Sequence, residues 1–316
     1  MATEKNTPEH ADITVGSDEE SKHFEVLDEA PLPPVNEFKR FVRVFARRKV
    51  VVVGLFMVLA VVVAGIFPNQ IAPHDPFQLN LMNNLQPPSS RYLLGTDDLG
   101  RCLLSRIIHG ARLALITGVT AVIISSIIGT MLGLIAGFSG RVLEELIMRM
   151  TDAWISIPPL IWMLLIGAII GRGVIGIIIA IAVGGFPGYI RLVYGQVMTV
   201  KQNDYIMASI AMGDSKMRII FKHILPNCVS PLIVTMTMGL GGAVMAEAGL
   251  GFLGLGLAPP TPAWGTMVEN GRPLLQSLPL LSIAPGIAIV ILVFGVNMVG
   301  DGIRDALDPK MRGVND

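Results

Sequence analysis

The sequence predicts an all-α membrane protein with six transmembrane helices, and three observations carry that class. The 316 residues are 52% hydrophobic and only 15% charged, with a mean hydropathy of +0.63. Uncharged runs of 17 to 26 residues recur along the chain, and about 20 apolar residues cross the hydrocarbon core. The 24 Lys and Arg are also distributed unevenly. With the N-terminus inside, 18 fall on inner segments and six outside: Arg91, Arg101, Arg106, Arg112, Arg172 and Arg272. The opposite orientation inverts that bias, so both termini are expected in the cytoplasm.

Composition also excludes functions. Net charge is zero, which implies no nucleic-acid surface. Cys102 and Cys228 lie far apart and form no redox or metal spacing. No cofactor or metal site is expected. No Walker A sequence occurs, so the chain supplies no ATP site of that kind. Gly249, Gly251 and Gly254 match GxGxxG. That fingerprint needs a strand before it and a helix after it, and here it ends an apolar run.

Residues 1–37 hold ten acidic residues and two lysines, read as a disordered cytoplasmic tail. Residues 38–112 form the next unit. A basic cluster (Lys39, Arg40, Arg43, Arg47, Arg48, Lys49) precedes the first span, Val50 to Phe67. A 45-residue outer connection, Pro68 to Arg112, follows. Residues 113–300 make a five-helix core. Its first span, Leu113 to Phe138, carries Gly129, Gly133 and Gly137 at every fourth position, a packing ridge for a neighbouring helix. A partly polar helix over Val142 to Asp152 leads to the third span, Ala153 to Gly171, which Pro158 and Pro159 should kink or break. The fourth span starts at Val174 and reaches Ile190 or Thr199. Its cluster of Gly184, Gly185, Pro187 and Gly188 marks a bend or a tight helix contact. The fifth is Cys228 to Leu257, the sixth Leu278 to Val299, with an outer loop Ala258 to Pro273 between them. Residues 301–316 form a polar cytoplasmic tail.

Between the fourth and fifth spans lies a polar segment, residues 200–227. Asp204 to Met212 reads as one short helix and Ser215 to Ile224 as a second. Gly213 breaks them as a left-handed residue, Asp214 or Ser215 caps the second, and Pro226 stops it. Ile206, Ser209, Ile210 and Gly213 recur at helical spacing, as do Met217, Ile220 and Phe221. Two readings of this segment stand: short helices docking in a partner's groove, or a helix lying on lipid headgroups. Glu247, inside the fifth span, also has two. It lines or gates a path through the membrane, with Gly251 and Gly254 beside it, or it pairs locally near the interface.

Ala208, Ser209, Gly213, Leu225 and Pro226 resemble the "EAA" loop of permease subunits of ATP-binding-cassette importers. GTDDLGR (95–101), LSR (104–106), GAR (110–112), FLGLGLAPPTPAWG (252–265) and GDGIRDALDP (300–309) are similar to segments of the C-type permease of dipeptide/oligopeptide importers. The resemblance spans roughly Phe38 to Arg312. It implies the type I importer permease (MetI-like) fold and a chain that performs no bond chemistry. It also implies a homologous second permease, two cytoplasmic ATPase subunits and an extracytoplasmic solute-binding protein as partners, in a bacterial or archaeal inner membrane. Peptides are the implied substrate, with nickel complexes, glutathione and oligosaccharides as the family's alternatives. The docking residues it implies are Asp204, Tyr205, Met207, Ala208, Ser209, Gly213, Arg218, Phe221, Leu225 and Pro226. Met207 stands where the loop's glutamate is expected, Ser209 replaces its second alanine, and His223 and Cys102 also depart from the pattern. Docking is therefore expected to rest on an apolar face and the Gly213 turn more than on a charge. The rival class, a self-sufficient secondary transporter or channel, needs paired midplane ionisable groups and inverted repeats. Glu247 is its one candidate.

Overall fold

A computed structural model of the chain describes Phe45 and residues 48–307. The acidic tail, most of the basic cluster and the last nine residues lie outside the described residues. The described chain is helical, and its one β feature is an isolated bridge between Thr96 and Cys102. Among the described residues five helices are long and apolar enough to cross a membrane, and a pair bent by 87° passes the same test only when its two helices are taken together.

Helix α1 (Lys49–Ile66) is apolar on every side, as a helix facing lipid on most of its surface must be. It ends in a four-residue helix, α2 (Pro68–Ile71), with Pro68 at the start, where the missing N–H costs nothing. Helix α3 (Leu103–Phe138) is 36 residues long and begins ten residues before the expected span. Hydropathy misses this first part because it carries Ser105, Arg106, His109 and Arg112. The connection between α2 and α3, together with Pro260, folds over those groups. Arg106 donates from Nη1 to the carbonyls of Pro76 and Pro260, both at 3.2 Å. The Ser105 hydroxyl accepts the N–H of His74 at 3.1 Å. The ring nitrogens of His109 lie 2.9 Å from the Ser105 carbonyl and 3.0 Å from Asn69 Oδ1.

Helices α3 and α6 (Val174–Lys201) form the most extensive helix pair. The expected glycine ridge makes the contact. Cβ atoms placed on Gly129, Gly133 and Gly137 would collide with Tyr189 and Phe186, with Ile190 and Val193, and with Val197 respectively. Absent side chains thus let the two backbones approach, and packing holds them together where lipid offers no hydrophobic drive.

The third span is broken, as the prolines require. Helix α4 (Arg141–Ile155) and helix α5 (Pro159–Ile170) meet at 87° across Ser156–Pro158. Twelve residues rise about 18 Å, so α5 alone is shorter than the hydrocarbon core of about 30 Å. The corner is closed by aromatic groups. Trp154 and Trp162 stack at 4.0 Å, and the Trp162 indole N–H donates to the Trp154 carbonyl at 3.1 Å. The Trp154 indole N–H donates in turn to the Val183 carbonyl at 3.1 Å. Val183 lies four residues before Pro187 on α6, so Pro187 has no N–H to offer its carbonyl. The proline cluster therefore makes a docking point for α4, and α6 stays one helix through Lys201.

Pro226 does not stop the second short helix. Helix α8 (Lys216–Ile219), a π-helical turn (Ile220–Ile224) and helix α9 (Leu225–Leu250) run on as one 40-residue stretch to Leu255. The ladder shifts from four-residue to five-residue spacing there: the Leu225 N–H bonds the Ile220 carbonyl. Such a turn keeps backbone groups paired where a proline would orphan one. A second π turn, Gly251–Leu255, follows α9, and helix α10 (Trp264–Gly271) packs beside it. Helix α11 (Leu280–Leu307) continues past the expected end of the sixth span into GDGIRDAL. Asp305 near its end pairs with Arg48 at 2.6 Å.

Gly133→Leu is expected to lower the thermal unfolding midpoint of the protein in detergent, matching an overpacking cost of about 1–3 kcal/mol or more. Gly242→Ala, with open space around its Cβ position, leaves the midpoint unchanged or raises it.

Candidate functional site

The polar segment between α6 and α9 is built on the end of the glycine-packed pair. Lys201, the last residue of α6, donates from Nζ to the Gly137 carbonyl at 3.0 Å. Its ammonium also sits over the Phe138 ring at 5.2 Å. A cation here meets the unpaired carbonyl end of α3, where the helix dipole favours positive charge. Helix α7 (Asp204–Ala211) starts three residues later with an acid in its first turn, the favourable sign for that end.

Gly213 ends α7 with φ +84°. The Asp214 N–H reaches back to the Ser209 carbonyl at 3.1 Å and the Gly213 N–H to the Ile210 carbonyl at 3.0 Å. These two bonds through a left-handed glycine are the usual C-terminal closure of a helix. Side chains brace the turn. Ser209 Oγ donates to Asp214 Oδ2 at 2.6 Å, and Arg218 Nη1 donates to Asp214 Oδ1 at 2.8 Å. These bonds, Ser209's first and Arg218's second, hold the Asp214 carboxyl below the usual aspartate range. By sign, a carboxylate favoured in the folded state braces the turn at neutral pH and is lost only as pH falls through that depressed value. Ser215 caps α8, accepting the Arg218 N–H at 3.4 Å.

The segment has two faces. Ile206, Ser209, Ile219 and Ile224 are buried against Val193, Val197, Val200 and Cys228. Tyr205, Met207, Ile210, Met212, Met217 and Phe221 are exposed, between 46% and 79%, and Ala208 lies exposed among them. Ile210 thus leaves the stripe shared by Ile206 and Ser209 and joins the outer face. Of the residues singled out from the sequence, Asp204, Arg218, Gly213 and Pro226 are also exposed, Leu225 is half-buried, and Ser209 faces inward. Asn227 ties the start of α9 to α7 and to the π turn. Its Nδ2 donates to the His223 carbonyl at 2.6 Å and lies 3.4 Å from the Tyr205 hydroxyl. Sequence reading singled out neither Lys201 nor the bracing by Asp214. The signal available was Ser209, Asp214 and Arg218 spaced around a glycine.

Glu247, Gly251 and Gly254 lie at the far end of α9. Glu247 is 1% exposed, and its Oε2 has no hydrogen-bond partner among the described residues. Gly251 is buried against α10, where a Cβ would come 2.9 Å from the Thr266 nitrogen. Gly254 takes φ +80° inside the π turn and is exposed. The GxGxxG run therefore serves close packing and an unwound turn. The same end of the molecule holds a buried charge cluster. Asp97 meets Arg101 Nε at 2.7 Å and Arg106 Nε at 3.5 Å, and both arginine side chains are 5% exposed. Trp264 is also buried here and donates its indole N–H to the Ile107 carbonyl at 2.9 Å. A cleft of about 730 Å³ opens beside it, between residues 69–77 and the start of α3, with His109 and Arg112 on its wall. Among the described residues no group of three or more His, Cys, Asp or Glu is placed to hold a metal.

Asp97→Ala leaves two buried guanidinium groups short of their shared acid. It is expected to destabilise the protein by about 3–5 kcal/mol, read as a lower unfolding midpoint in detergent. At the turn between α7 and α8, Gly213→Val is expected to cost about 1–2 kcal/mol by forcing a branched side chain into a left-handed conformation. Gly213→Asn, which tolerates that conformation, costs less. Proteolysis of the 204–227 segment reads the difference.

Comparisons with known proteins agree with this architecture. Residues 129–313 match the family described as "Binding-protein-dependent transport system inner membrane component". Residues 36–88 match the "N-terminal TM domain of oligopeptide transport permease C". The chain is 44% identical over 280 residues to the di/tripeptide transport system permease protein DppC of Pseudomonas aeruginosa (strain UCBPP-PA14), covering 87% of this chain and 92% of that one. It is 39% identical over 268 residues to the oligopeptide transport system permease protein OppC of Bacillus subtilis (strain 168), covering 85% and 88%. The glutathione transport system permease protein GsiD of Escherichia coli O157:H7 is 38% identical over 295 residues, covering 91% and 97%. A chain of the MetNI methionine ABC transporter, solved in inward-facing conformations, superposes with a TM-score of 0.56 at 20% identity, covering 65% of this chain and 98% of that one. The chain therefore belongs to the binding-protein-dependent transport system inner membrane component family, and is a multi-pass inner-membrane permease of the ATP-binding-cassette importer type.

Proposed function

We propose that this chain is one of two homologous permease subunits of an importer that carries dipeptides or short oligopeptides. In this reading an extracytoplasmic solute-binding protein delivers the substrate, and two cytoplasmic ATPase subunits drive transport. The chain's N- and C-termini lie in the cytoplasm. The observation that carries the reading is the exposed apolar row Tyr205, Met207, Ala208, Met212, Met217 and Phe221 on a segment whose opposite face is anchored in the core. A row of that size on short helices matches recognition of a helix by a groove. The chain carries no Walker A sequence, so the energy comes from the partner that owns the groove.

The mechanism is a two-state bias. ATP-driven closure of the ATPases displaces α7 and α8. Helix α8 continues without a stop into α9, and α7 follows α6 across a short turn. A displacement at the docked face therefore tilts the two long helices that carry it, and the path alternates between inward-open and outward-open. Glu247, Gly251 and Gly254 flank that path at the other end of α9. Glu247 is buried between α9 and its neighbours in the present state and meets water when they part. The peptide substrate is favoured over glutathione because peptide-permease relatives reach 39–44% identity and glutathione-permease relatives 36–38%.

Ala208→Glu and Gly213→Pro are each expected to abolish substrate-stimulated ATP hydrolysis and peptide uptake by the reconstituted importer, while membrane insertion stays intact. Normal coupled uptake in both variants would sink the docking reading. Peptide transport by this chain alone in liposomes would favour a self-sufficient transporter instead.

A further inference from the structure

Asp214 is not part of the exposed apolar row, yet it receives two charge-assisted hydrogen bonds at the centre of the turn. Ser209 Oγ, on α7, donates to Oδ2 at 2.6 Å. Arg218 Nη1, on α8, donates to Oδ1 at 2.8 Å. One carboxylate therefore spans both short helices across the left-handed Gly213. Its side chain is 20% exposed, and the Ser209 partner is buried. A glycine turn is compliant by nature, because no Cβ restricts its backbone. A compliant joint between α7, which carries Tyr205, Met207 and Ala208 of the exposed row, and α8, which runs on into α9, absorbs a push on α7. Bonds to an ionised acid are the strong kind, and here they close the joint from both sides.

We propose that Asp214 is a positioning residue for coupling: its bridging carboxylate fixes the angle between α7 and α8, so that movement of the docked residues on α7 reaches α9 instead of being taken up at Gly213. The inference rests on the docking reading above. A merely stabilising carboxylate would leave the stoichiometry of transport unchanged, so stoichiometry is the readout.

The test uses the assembled importer with both permeases, the ATPases and the binding protein in proteoliposomes, with a dipeptide as substrate. In Asp214→Asn, peptide taken up per ATP hydrolysed is expected to fall by at least about fivefold, the lower end of the range for coupling between sites. The ATPases remain bound at the wild-type ratio. Asp214→Glu restores most of the loss. Ser209→Ala, which removes one of the two bonds from the buried side, gives a smaller loss, and it carries the test if Asp214→Asn does not insert. An unchanged ratio in these variants overturns the inference. So does a fall that merely tracks loss of bound ATPase, because Asp214 is then a docking contact. If the wild-type chain retains no ATPase, the docking reading fails first and takes this inference with it.

Discussion

Close approach of α3 and α6 along the Gly129, Gly133 and Gly137 ridge is the constraint on which the rest of the structure depends. Helices in lipid gain nothing from hiding apolar surface, so their association needs backbone proximity and dispersion contacts. Three missing side chains supply that proximity against Tyr189, Ile190, Val193 and Val197. The consequence runs to the end of the pair at Phe138 and Lys201. There Lys201 closes the carbonyl end of α3, and the buried face of α7 packs on the same stripe of α6. The exposed row that we assign to docking is thus carried by the most extensive helix pair among the described residues.

Prolines organise what glycines bring together. A proline in a long helix removes one N–H and leaves a carbonyl that lipid cannot satisfy. Pro187 leaves the Val183 carbonyl to the Trp154 indole, which fixes the corner between α4 and α5. Pro226 is absorbed by a π turn, and α8 remains continuous with α9, in a stretch long and apolar enough to cross a membrane. Each device turns a local defect into a joint. Transmission between a docked face and distant helices needs such rigid, contiguous elements with more than one arrangement.

The other end of the molecule is built from charge. Asp97, Arg101 and Arg106 are buried together, and a charge in that position must be paired or bonded. Three carbonyls or carboxylates receive the Arg106 guanidinium, from residues 76, 97 and 260. The connection between α2 and α3 and the loop before α10 are therefore clasped onto the start of α3. The run GTDDLGR, one of the segments by which the chain resembles its family, has this structural work in the present fold.

The sequence by itself determined the class, the number of spans, the glycine ridge, the break at Pro158 and Pro159, and the left-handed turn at Gly213. All of these follow from properties local to a few residues: the length of an apolar run, small side chains at helical spacing, a missing N–H, a missing Cβ. The outer and inner faces of the 204–227 segment were partly legible in the same way, since Ile206 and Ser209 share a helical stripe. Only the tertiary structure decided the rest. It placed Ile210 outside, carried the helix through Pro226, started α3 at Leu103, and set Asp214 between Ser209 and Arg218. The deciding partners are distant in sequence, reached around a turn or, at Pro226, supplied by a change in the local backbone ladder. A polar residue is read as loop until a carbonyl 30 or 154 residues away accepts its proton. Hydropathy records what a residue prefers in isolation, and the fold determines whether that preference is met.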